Sequence, residues 1–131
     1  MKNTIFKLTE YVYYFSLLVL LILYLFPGSL IGYFLYGNLG QQPNLLANPI
    51  GTSINHLIFF SYITVLVTII RPKVKNIFTS YKVILFISCV LEILHLIVPN
   101  RAFELYDLIA NIAGVVIVLF FDRFIKWRKY L

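Results

Sequence analysis

Charge is what this chain has least of. Asp, Glu, Lys and Arg make up 12% of its 131 residues and hydrophobic residues 61%. A soluble domain carries about 25% charged and about 45–50% apolar residues. The composition therefore excludes an ordinary soluble domain and points to an integral membrane protein, read here as one domain over 1–131. Acids are scarcest: Glu10, Glu92, Glu104, Asp107 and Asp122 are all of them. The single cysteine, Cys89, excludes an intrachain disulfide and reads as a small packing residue. No G-x-S-x-G elbow, no HExxH-type ligand spacing and no inverted repeat occurs. These absences count against a serine hydrolase, a metalloenzyme and a lone transporter. No cofactor and no metal is expected, and catalysis is not the favoured reading.

What is present is long apolar runs. Crossing about 30 Å of hydrocarbon takes about 20 residues. Four segments qualify, at about 11–26, 53–70, 82–98 and 105–121. Pro27-Gly28, Arg71-Pro72, Pro99-Asn100 and a basic tail punctuate them. Lys2 and Lys7 ahead of the first run would suit a signal peptide, but no A-x-A site follows. The expected fold is an all-α four-transmembrane-helix bundle. The uncharged loop at 27–52 is expected to form an irregular cap or a short interfacial helix.

The net charge of +6 would suggest a nucleic-acid partner in a soluble protein. Here ten of the eleven bases lie in the N-terminal segment, the link between the second and third runs, and the tail. Only Arg101 lies in the other two loops. Such asymmetry is a topology signal, and it predicts both termini in the cytoplasm. No nucleic-acid partner is expected. Tyr11, Tyr81, Trp127 and Tyr130 would lie at the cytoplasmic interface, and Tyr33, Tyr36 and Tyr106 at the opposite one.

The apolar C-terminal half nonetheless contains a polar set. Ionisable groups at the centre of a bilayer cost about 2.5–3.5 kcal/mol each on insertion scales and mark function by default. Glu92, His95 and Pro99 are spaced i, i+3, i+7, and Asp107, Asn111 and Gly114 are spaced i, i+4, i+7. Each set lies on one helical face. The six-residue link Pro99–Glu104 makes the two runs antiparallel neighbours. With a rise of about 1.5 Å per residue, Glu92 and Asn111 come level, and His56 comes level with His95 and Asp107. Arg101 lies at the mouth. His56, Glu92, His95, Arg101, Asp107 and Asn111 are thus the candidate ligand-binding residues. Ala110 and Gly114 form a small-x-x-x-small pair suited to close helix contact.

The string Glu92-x-x-His95-x-x-x-Pro99-x-Arg101, followed by Asp107-Leu108-x-x-Asn111-x-x-Gly114, resembles the core of the VanZ-like family of small bacterial membrane proteins. His56 resembles that family's upstream histidine element. Thr52 and Ser53 stand where members often carry Asp-Lys, and Phe60 replaces an aromatic hydroxyl. The resemblance covers roughly 50–120. It implies a multi-pass protein of the bacterial cytoplasmic membrane, associated with the cell envelope and, through the founding member, with glycopeptide antibiotic resistance.

Two readings of the polar set follow. In one, an extracytoplasmic pocket engages an envelope lipid or cell-wall precursor, with Arg101 holding an anionic group. In the other, the set is an interhelical lock in a subunit or scaffold of a larger membrane complex. Arg101 would then pair with Glu104 or Asp107. An intramembrane hydrolase or transferase using Glu92 and His95 is a third and weaker reading, for which Ser88 and Cys89 are poor nucleophiles.

Overall fold

A computed structural model describes residues 2–43, 51 and 53–128. Among these it is all-helical: α1 (Lys2–Leu25), α2 (Leu30–Tyr36), α3 (Ser53–Ile70), α4 (Tyr81–Leu94) and α5 (Leu105–Arg128), with a short 3₁₀ turn at Ile77–Thr79. Three stretches, Thr4–Leu25, Ser53–Ile70 and Leu105–Arg128, are long and apolar enough to cross a membrane. The expected positions of Thr52 and Tyr130, and of most of the loop between Asn44 and Thr52, fall outside the described residues.

The third expected span is shorter as a helix than its hydropathy suggests. α4 ends at Leu94, where the backbone tightens. The amides of His95, Leu96 and Ile97 bond to the carbonyls of Glu92, Ile93 and Leu94, three residues back. Pro99 lacks an amide and disfavours helical backbone at Val98. Asn100 then turns the chain with φ 58°, a left-handed conformation that Asn tolerates. Two other boundaries move outward. α1 begins near Lys2, and α5 runs on through the basic segment to Arg128. Hydropathy marks where a helix leaves hydrocarbon, which is not where its hydrogen bonding stops.

α3 packs chiefly on α5, with α1 against α3 and α4 against α5. Tyr13, Leu17, Leu20 and Tyr24 recur at helical spacing on α1 and are buried against Phe60, Ile63, Val67 and Ile70 of α3. Thr64, fully buried, satisfies its hydroxyl on the carbonyl of Phe60 (2.6 Å). The closest helix approach is at Gly114. A Cβ there would lie 2.6 Å from the carbonyl oxygen of Leu57 and 3.0 Å from the amide nitrogen of Ser61. The small-residue pair on α5 is therefore a packing contact between α3 and α5.

Part of the loop after Pro27 is a short helix. Ser29 caps α2, accepting from the amide of Gly32 (2.9 Å), and Gly37 ends it in the left-handed region with φ 69°. Tyr33, Phe34, Leu35 and Tyr36 are exposed on it. The ends of α1 and α4 and the starts of α3 and α5 share one end of the bundle with α2. The bases of the α3–α4 link and of α5 lie at the other.

Candidate functional site

The polar residues singled out above meet at that first end. His56 enters from the first turn of α3, Glu92 and His95 from the end of α4, and Asp107 and Asn111 from the start of α5. All five are buried, and Glu92 and Asn111 have no exposed surface. His56 Nε2 lies 3.3 Å from Asp107 Oδ2, and His56 Nδ1 lies 3.6 Å from Glu92 Oε2. His95 Nδ1 lies 3.2 Å from Glu92 Oε1. The Asn111 side chain donates to the Ser88 carbonyl (3.1 Å) and presents its oxygen to His56 Nδ1 (3.2 Å).

Two participants were not singled out in the sequence. Tyr24, near the end of α1, donates its hydroxyl to Asn111 Oδ1 and contacts His56 Nδ1, both at 2.8 Å. Its ring stacks on His95, with centroids 5.5 Å apart and planes at 18°. Its carbonyl receives His95 Nε2 (3.2 Å). One signal was available: a tyrosine inside an apolar run, at the depth of the histidines. Ser53 was visible only as a departure from the family pattern, yet its hydroxyl donates to Asp107 Oδ1 (2.5 Å). Serine and aspartate 54 residues apart give no local pattern.

Arg101 does not form the ion pair that the lock reading expects. Among the described residues it pairs with neither Glu104 nor Asp107. Its guanidinium instead donates to the carbonyls of Leu23 (2.7 Å) and Phe26 (3.5 Å), which end α1 without intrahelical partners. Burial lowers its pKa from the usual arginine value, an effect that Tyr24, Glu92 and Asp107 oppose. Glu104 uses its backbone, donating its amide to Glu92 Oε1 (3.1 Å). Its own carboxyl is pushed above the ordinary range, by burial first and then by Asp107 and Glu92.

Of the centre's buried side-chain polar atoms, Glu92 Oε2 alone has no hydrogen-bond partner among the described residues. Beside the centre lies a cavity of about 60 Å³, lined by Leu20, Tyr24, Asn55, His56, His95 and Arg101 among others. Ser88 spends its hydroxyl on the carbonyl of Leu85 (2.7 Å), and Cys89 is half-buried. No family model matches the chain, and no curated protein or solved structure matches it.

Proposed function

We propose that this is a VanZ-like, multi-pass protein of the bacterial cytoplasmic membrane. Its polar centre engages the anionic part of an envelope lipid or cell-wall precursor from the extracytoplasmic side, which would link it to glycopeptide resistance. The observation that carries this reading is convergence. Costly groups from α3, α4 and α5, with Tyr24 of α1, meet at one end of the bundle beside a cavity that Arg101 also lines. The cavity of about 60 Å³ admits the tip of such a ligand. Pockets that enclose a whole drug-sized molecule are about 300–1,000 Å³, so the body of the lipid would lie along the apolar exterior.

Four crossings with both termini cytoplasmic suit this reading. α4 rises about 21 Å over its helical residues, and the tighter turns to Val98 add about 8 Å. That sum approaches the hydrocarbon thickness. The bases at the opposite end favour the cytoplasmic side. Cysteines placed at Arg101 and Lys73 test the orientation. An impermeant maleimide added to intact cells should label the first and not the second.

A second reading is favoured by the near-complete internal pairing of the centre and by the use of Arg101 as a cap. There the centre is an interhelical lock in a subunit or scaffold of a larger complex. Glu92→Gln and Asp107→Asn separate the two. The pocket reading expects lost lipid retention, measured by native mass spectrometry with co-extracted lipids, at unchanged membrane abundance. Retained lipid together with lower abundance and a co-purifying partner protein would favour the lock.

A further inference from the structure

A hydrogen-bonded lock leaves one feature of the centre unexplained. Each of three side chains is held through one polar atom and turns the other inward. Glu92 is anchored at Oε1 by the Glu104 amide (3.1 Å), with His95 Nδ1 3.2 Å from the same oxygen. Asp107 is anchored at Oδ1 by Ser53 (2.5 Å). His56 is anchored at Nδ1 by the Tyr24 hydroxyl (2.8 Å). Glu92 Oε2, wholly buried, is left without a partner among the described residues. One ligand-type atom from each of His56, Glu92 and Asp107 lies within 4.8 Å of the others.

The hydrogen-bond network assigns the protons. Asn111 donates its amide to the Ser88 carbonyl (3.1 Å), so its oxygen faces Tyr24. The single hydroxyl proton of Tyr24 goes to that oxygen, and the Tyr24 oxygen then accepts from His56 Nδ1. In the neutral imidazole, His56 Nε2 then carries a lone pair aimed at Asp107 Oδ2, 3.3 Å away. Two acceptors face to face at that distance repel unless a second imidazole proton or a metal cation lies between them. A tetrahedral metal with bonds of about 2.0–2.1 Å separates its ligand atoms by about 3.3 Å.

We propose that His56, Glu92 and Asp107 bind one divalent transition-metal ion of the Zn²⁺ class. One neutral imidazole and two carboxylates suit such a borderline cation, and two carboxylates balance its charge where unpaired charge is costly. Three protein ligands leave a position for water or a ligand oxygen, and the adjoining cavity of about 60 Å³ has room for it. Ser53, Tyr24, Asn111 and His95 are the outer-shell groups that orient the ligands. No local motif announces the site, because its ligands come from α3, α4 and α5.

The test uses the full chain, purified in detergent, stripped with EDTA and titrated with ZnCl₂ or CoCl₂. Wild type should take up one equivalent of Zn²⁺. Co²⁺ should give the visible d–d absorption of a low-coordinate site, which Zn²⁺ then abolishes. Asp107→Asn and Glu92→Gln should lose binding. Ser53→Ala, which removes no ligand, should weaken it about 10- to 100-fold at unchanged stoichiometry. Folding of each protein is checked by helical circular dichroism, and wild type with Ser53→Ala decides the matter if the ligand variants do not fold. No stoichiometric uptake by folded wild type overturns the site, as does uptake that Asp107→Asn and Ser53→Ala leave unchanged. The site does not depend on lipid binding. Failure to bind zinc leaves the lipid result standing, and absence of bound lipid leaves the metal titration standing.

Discussion

The two ends of the bundle hold polar residues in opposite ways. At the first, Tyr24, Glu92, Asp107, Asn111, His56 and His95 are buried and joined across four helices. At the second, Arg71, Lys75 and Lys126 line an open groove of about 630 Å³. Arg71 sits over the Tyr81 ring at 4.2 Å, and Lys126 reaches Asp122 at 2.7 Å while 58% exposed. Five acids and eleven bases are therefore not interchangeable currency for stability. Where water is excluded, an unpaired polar atom costs about 1–3 kcal/mol, whereas an exposed helical ion pair contributes about 0.3–0.5 kcal/mol. The first end should be intolerant of substitution and the second permissive.

Four substitutions sharpen that contrast, in falling order of effect on the thermal stability of the purified protein. Asn111→Leu keeps the volume but removes the acceptor of the Tyr24 hydroxyl proton and the amide that donates to the Ser88 carbonyl. It should cost about 3 kcal/mol, read as a lower midpoint of helix unfolding. Gly114→Ala forces a Cβ against the Leu57 carbonyl at 2.6 Å. It should cost about 2 kcal/mol by separating α3 from α5. Tyr24→Phe removes one hydroxyl shared by His56 and Asn111, at about 1 kcal/mol. Lys126→Ala at the opposite end should move stability by less than about 0.5 kcal/mol. A Lys126→Ala effect as large as that of Asn111→Leu would erase the distinction between the ends.

The centre was partly legible before any coordinates. Spacing put Glu92 with His95 and Asp107 with Asn111 on single helical faces, and the short link made those faces neighbours. His56 joined them by depth alone. Tyr24 and Ser53 were not legible as partners, because their contacts cross 87 and 54 residues. The backbone contacts of Arg101 were not legible for a similar reason. Its charge suggested an anionic ligand or an acidic side chain, whereas its guanidinium donates to the carbonyls of Leu23 and Phe26 at the end of α1. The third run read as an unbroken span because hydropathy is blind to the amide that Pro99 lacks.

Composition and periodicity alone determined that this chain is helical, apolar on its exterior and basic at the end opposite Glu92, Glu104 and Asp107. Those properties follow from local repeat and from the cost of charge in hydrocarbon, both of which a sequence displays. Tertiary structure decided which atoms of the polar residues are anchored and which are left over. Hydrogen bonds are directional and one-to-one, so the pairing of Tyr24 with Asn111 fixes where the His56 lone pair points. The grouping of His56, Glu92 and Asp107 exists only once α3, α4 and α5 are packed together.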